Sequence, residues 1–245
     1  LTTNDHKAAL ITGGARRVGA CIARALHGAG FNVALHCRRS QRQAREMADE
    51  LNAARRDSAC VLAADLRDAA AVRELARAAR TRWRRLDALI NNASVFFGTS
   101  LAAPDDARID ELIGVNIKAP LLLAGELAEE LARREGCIVN LTDCYASQPL
   151  QGHAAYCATQ AALAMLTRSL ALELAPRVRC NAVAPGAILW PEGDGDDEER
   201  RRAVLRRTAL ARTGEPADVA QAVLFLVTSA GYITGETIAV DGGRY

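Results

Sequence analysis

Ala8-Ala9-Leu10-Ile11-Thr12-Gly13-Gly14-Ala15-Arg16-Arg17-Val18-Gly19 passes from a short apolar run, through a glycine-rich loop, into a helical pattern. Glycines at such a turn let the chain reverse tightly and let a pyrophosphate approach the backbone. The helix start adds unpaired amide donors and the positive end of a dipole. A plain turn is the other reading of a glycine-rich loop. Its position between strand and helix favours nucleotide binding, with Gly13, Arg16, Arg17, Val18 and Gly19 as the cradle.

The same alternation continues along the chain. Strands are expected at 7–12, 32–36, 59–64, 87–91, 137–141, 178–184 and 236–240. Helices are expected near 17–29, 40–54, 69–84, 106–134, 155–175 and 216–228. Strands alternating with helices imply right-handed βαβ crossovers, hence an α/β fold with a doubly wound, parallel, seven-stranded sheet covered on both faces. The 245 residues read as one domain, with no internal repeat and no linker.

Composition narrows the function classes. A net charge of +2 argues against a nucleic-acid binder driven by bulk electrostatics. Half of the residues are apolar, yet no run is long enough to span a bilayer. The polar start, Leu1 to Lys7, leads straight into the first strand, and no signal-peptide core is read there. Seven scattered cysteines show no metal-ligand or paired-thiol spacing and read as small core residues, so no metal site and a reducing, cytoplasmic setting are expected.

Polar residues recur at successive strand ends, where an open parallel sheet binds its ligand. The second strand ends in His36-Cys37-Arg38-Arg39-Ser40, with no carboxylate to hold a ribose 2′-hydroxyl. Arginines and a serine there suit a 2′-phosphate, although a basic turn starting a helix is the plainer reading. Asp65-Leu66 ends the third strand, placed to reach an adenine, and Asn91-Asn92-Ala93-Ser94 ends the fourth. After the sixth strand comes Pro185-Gly186-Ala187-Ile188-Leu189-Trp190, followed by the acidic, glycine-rich stretch 191–199. This segment, about 186–208, reads either as a solvated loop entering a helix or as a lid over a substrate, with Trp190 facing inward.

Taken together, the Thr12–Gly19 loop, Asp65, Asn91-Asn92-Ala93, Asn116, Tyr156 and Pro185-Gly186 resemble the short-chain dehydrogenase/reductase family over essentially the whole chain. Within it the chain is most similar to the pteridine reductases. Arg17 stands where most relatives carry glycine. His36, Arg39 and Ser40 match the set that holds the NADP 2′-phosphate. Asn91 to Phe97 resembles the pterin-binding stretch, in which the serine contacts pterin and cofactor and the first phenylalanine stacks on the pterin. The resemblance implies a Rossmann-like fold, NADP(H) as cofactor, and contacts from Asn92, Ala93, Ser94, Pro185, Gly186 and Ile188. It assigns Arg17, Ser94, Phe96, Asp143, Tyr156 and Trp190 to a pterin-like substrate, and Asn116 to the catalytic group. It also implies a homotetramer built on the helices near 106–134 and 155–175, with Arg244-Tyr245 reaching a neighbouring site.

Asp143 lies thirteen residues before Tyr156, where the wider family carries serine. In pteridine reductases this aspartate and tyrosine deliver protons to ring nitrogens while NADPH supplies hydride. Reducing a C=N bond needs a proton on nitrogen, and a carboxyl group in an apolar pocket has its pKa raised. A turn-capping role is the structural alternative for Asp143.

Gln160 departs from the pattern. It sits one helical turn after Tyr156, on the same face, where the family carries a lysine that binds the nicotinamide ribose and lowers the tyrosine pKa. A unit charge ~5 Å away at an effective dielectric of ~20 is worth on the order of 3 kcal/mol. Gln160 gives that up but can still bond ribose hydroxyls. Three functions are therefore open: an NADPH-dependent pterin reductase, weakened or not; a reductase of another carbonyl or imine; and a binding or regulatory protein with little turnover.

Overall fold

The computed structural model describes residues 6–189 and 198–244. Its strands are β1 (Ala8–Ile11), β2 (Asn32–Cys37), β3 (Ala59–Ala63), β4 (Ala88–Asn91), β5 (Cys137–Leu141), β6 (Arg179–Pro185) and β7 (Thr237–Val240). They form one parallel sheet in the order β3-β2-β1-β4-β5-β6-β7. All seven expected strands are present.

The sheet is sandwiched because its strands are apolar on both faces. Ala9 and Ile11 of β1 point into one core with Ile22 and Leu26 of α1 (Arg17–Gly28), Met47 and Leu51 of α2 (Gln41–Ala54), and Val219, Val223 and Leu226 of α8 (Pro216–Thr228). Ala8 and Leu10 point the other way. They meet Val72 and Leu75 of α3 (Ala69–Arg82), Leu123 and Leu127 of α5 (Ala119–Arg133), and Leu170 of α6 (Ala154–Glu173). Burying a Leu or Ile side chain of this kind contributes roughly 1.5–3 kcal/mol, so these two layers carry most of the fold's stability. All seven cysteines are free thiols, and four of them are buried.

Strand order reverses between β1 and β4, which opens a crevice at the carboxyl ends of the strands. The expected helix at 106–134 is interrupted there. α4 (Asp106–Ile113) passes into a π-helical turn, Gly114–Lys118, before α5 begins with Pro120 in its first turn. A π turn widens a helix by one residue and re-aims its side chains; here it turns the buried Asn116 toward the strand ends. Within the 186–208 segment, residues 198–206 form α7 (Glu198–Arg206). Trp190 and most of the acidic stretch lie outside the described residues.

Candidate active site

A cavity of about 580 Å³ occupies the crevice, lined from Gly13 and Arg16 at one end to Asp143 and Tyr156 at the other. Its glycine-rich end has the properties of a phosphate cradle. Gly13 has φ +62, and a Cβ on Gly19 would stand 2.2 Å from the Gly13 carbonyl oxygen, so both positions need glycine. Arg16, the N-cap of α1, makes no side-chain cap hydrogen bond, which leaves the first-turn amides to a ligand. Arg17 adopts the left-handed φ of 52 and donates from Nη2 to the Leu189 carbonyl at 3.3 Å. It thereby links the cradle to the segment after β6.

Thr12 and Asn92 hold the loop against β4. The Thr12 hydroxyl accepts from the Asn92 and Ala93 amides at 2.9 and 3.0 Å, and Asn92 Nδ2 donates to the Thr12 carbonyl at 2.8 Å.

At the end of β2 the basic residues separate into different roles. Arg39 is exposed, and Ser40 caps α2 without using its hydroxyl on the helix; both line the cavity. Arg38 also lines it, but it is tied to Asp65 at 3.1 Å and to Glu111 at 3.3 Å. His36 corrects the expected phosphate role. Its Nδ1 accepts from the Gly13 amide at 3.1 Å, so Nε2 carries the proton toward the Ala64 carbonyl at 3.2 Å. Burial lowers its pKa, so the ring is a neutral brace between the glycine loop and the end of β3, and not a cation for a phosphate.

Asp65 is engaged likewise. Arg67 binds both of its oxygens, and this pairing, with Arg38 beside it, holds the carboxyl down at about 2. Leu66 is buried in the cavity wall next to it. Gly186 and Ile188 do not line the cavity as Pro185 does. The Gly186 amide bonds the Val240 carbonyl at 3.0 Å, and the Ile188 side chain is part of the core.

At the far end the Tyr156 hydroxyl donates to Asp143 Oδ2 at 2.8 Å. The other carboxylate oxygen accepts from the Tyr145 amide at 2.8 Å, capping the 3₁₀ turn Cys144–Ala146. Asp143 is therefore a cap and a partner of Tyr156 at once. Burial raises its pKa against the hydrogen bonds that favour the charged form. Burial, and then the adjacent carboxylate, push Tyr156 far above the ordinary tyrosine value that loss of a lysine alone implies. The phenol is thus a firmly held proton donor.

Phe96 meets Tyr156 edge-on, with ring centroids 4.8 Å apart, and is 41% exposed. His153 stacks on it at 4.8 Å, a contact that sequence reasoning missed. Gln160 is 1% exposed; its Nε2 is 3.4 Å from the Ser94 hydroxyl, and its Oε1 is buried without a hydrogen-bond partner. That orphaned oxygen, beside Ser94 and one turn from Tyr156, matches a ribose hydroxyl donor. Asn116 Oδ1 accepts from Ser94 Oγ at 3.1 Å and from the Val95 amide at 2.9 Å, while its Nδ2 donates to Thr159 Oγ1 at 3.1 Å. The π turn thus clamps the Ser94 loop to α6. Asn116, Gln160 and Phe96 stand behind or beside the cavity wall, and Ser94 lines it.

The described geometry agrees with the sequence relationships. A family sequence model described as enoyl-(acyl carrier protein) reductase matches residues 13–244. Pteridine reductase 1 of Leishmania tarentolae is 36% identical, over 99% of this chain and 97% of the relative. The 3-oxoacyl-[acyl-carrier-protein] reductase FabG of Staphylococcus aureus is 35% identical, over 98% of both chains. A Serratia marcescens short-chain dehydrogenase/reductase mutant superposes with a TM-score of 0.90 at 30% identity, over 97% of both chains. A blue fluorescent protein from a metagenomic library, in complex with NADPH, gives 0.91 at 31% identity, over 99% of both. Sheet order, glycine cradle and strand-end residues define a nicotinamide-dependent oxidoreductase of the doubly wound class. The chain belongs to the short-chain dehydrogenase/reductase family.

Proposed function

We propose that this chain is an NADP(H)-dependent reductase of pterins or dihydropterins. The observation that carries the reading is the 2.8 Å Tyr156–Asp143 hydrogen bond, with its carboxyl buried and its pKa raised. A hydroxyl that only orients a carbonyl does not need a carboxyl partner; protonating ring nitrogens does. Phe96, edge-on to Tyr156, adds a flat apolar surface for a bicyclic ring. The Leishmania relative supports the same substrate class. NADP(H) is supported by exposed Arg39, the unused Ser40 hydroxyl, the lack of a carboxylate at the end of β2, and the NADPH-bound neighbour.

When bound, the nicotinamide supplies hydride to the substrate carbon. Tyr156 holds the proton destined for nitrogen at its Oη. Asp143, when protonated, turns from acceptor to donor toward that oxygen, which frees the phenolic hydrogen for the substrate and replaces it afterwards. Ser94, with Gln160 behind it, would hold the ribose side of the nucleotide, and Arg39 and Ser40 the phosphate end. Exposed Leu121 on α5 and exposed Met165 and Leu172 on α6 support assembly into a homotetramer through those helices.

Two readings compete. The FabG relatives favour a reductase of acyl thioester ketones. The uncharged Gln160 favours a protein that binds nucleotide and pterin but turns over slowly. Measuring NADPH oxidation with dihydrobiopterin, dihydrofolate and an acetoacetyl thioester, alongside binding titrations, separates them. Turnover confined to pterins supports the proposal; thioester turnover alone, or binding without turnover, overturns it.

Gln160→Lys gives a further check. The added charge stabilises tyrosinate, so oxidation of a tetrahydropterin at neutral pH is expected to rise about tenfold, with reduction changing less. Equal oxidation rates in the two proteins would remove the electrostatic account of Gln160.

A further inference from the structure

The segment after β7 returns to the active site. Arg244 forms an isolated antiparallel bridge with Thr208, and its carbonyl accepts from Gln148 Nε2 at 3.0 Å. Its guanidinium carbon lies 5.1 Å from the centre of the Tyr145 ring, and Nη2 donates to the Tyr145 hydroxyl at 3.0 Å. Nε is buried and makes no hydrogen bond among the described residues. No described carboxylate lies within ion-pair distance of this guanidinium.

Tyr145 joins this cation to the buried carboxyl of Asp143, whose Oδ1 accepts from the Tyr145 amide at 2.8 Å. Tyr156 faces Asp143 from α6, Cys144 and Tyr145 face it from the 3₁₀ turn, and Arg244 faces it from the C-terminal segment; Asp241 acts on Cys144 from the same segment. Arg244 is the single cation in that set. It opposes the burial that pushes Asp143 toward its neutral form, and it does the same for the Tyr145 phenol.

We propose that Arg244 is a positioning residue for proton delivery: packed on Tyr145, it sets the pH at which the Asp143–Tyr156 pair takes up its second proton. The site then has its cation on the Asp143 side of the pair, while position 160, on the ribose side, is neutral. The inference shares the Asp143–Tyr156 pair with the function proposed above, so its test is made without turnover.

The test is a carbon-13 NMR titration of the intact chain labelled at the aspartate carboxyls, with Asp143→Asn assigning the resonance. Arg244→Met is expected to move the Asp143 midpoint upward by about one pH unit, because a cation beyond contact distance in a partly wet site is worth roughly that much. Arg244→Lys is expected to stay near the unmodified chain. An unchanged midpoint in Arg244→Met overturns the proposal. So does an equal displacement in Arg244→Lys, since packing would then be the cause. If Arg244→Met does not fold, Tyr145→Phe asks the same question: an upward shift supports the proposal and no shift overturns it. A chain without pterin turnover still answers this titration, and a failed titration leaves the pterin assay untouched.

Discussion

Asp143→Asn is expected to lower kcat for dihydropterin reduction by about 10²–10³, with nucleotide affinity nearly unchanged, because positioned acid–base groups contribute about that much. The amide keeps an acceptor oxygen for the Tyr145 amide, so the 3₁₀ turn that Asp143 caps is retained. What is lost is the exchangeable proton beside Tyr156. Tyr156→Phe is expected to cost a similar factor. The double variant should be little worse than either single one, since residues that act as a unit are not additive.

The pH dependence has a definite sign. Asp143 has a raised pKa, so its proton is present below that value and lost above it. Reduction should therefore fall as pH rises through the Asp143 titration, and that limb should vanish in Asp143→Asn. Single-turnover rates for the four proteins across pH test this. Multiplicative losses, or an unchanged falling limb in Asp143→Asn, would mean that the two residues do not share a proton.

Arg39→Glu is expected to raise the KM for NADPH about a hundredfold, while NADH changes only a few-fold. A charge-assisted hydrogen bond to phosphate is worth roughly 1.5–3 kcal/mol, and reversing the charge adds repulsion. The prediction separates Arg39 from Arg38 and His36. Arg38 is already paired with Asp65 and Glu111, and His36 is neutral and bonded at both nitrogens. If NADPH and NADH affinities fall together in Arg39→Glu, the residue is acting on loop structure and not on the 2′-phosphate.

The alternation of strands and helices was legible in the chain because period and turn chemistry are local properties. So were the glycine loop and the polar residues at strand ends, which follow from where an α/β sheet binds ligands. Gly13 and Gly19 needed only the backbone logic of a tight turn. Asp143 and Tyr156 were legible as a pair through the resemblance to the pteridine reductases. The π turn at Gly114–Lys118 left no such mark, since nothing in a helical periodicity announces one extra residue.

Partnerships were a different matter. His36 reads as a phosphate ligand until the sheet sets it between Gly13 and Ala64. Asp65 reads as an adenine contact, and only the structure adds Arg38 and Arg67 as its partners. The contact of Arg244 with Tyr145, 99 positions earlier, leaves no mark in the sequence at all. Local sequence specifies backbone conformation and which face of an element is apolar. Which long polar side chains find each other depends on strand order, crossover path and burial, and those distances exist only once the sheet has assembled.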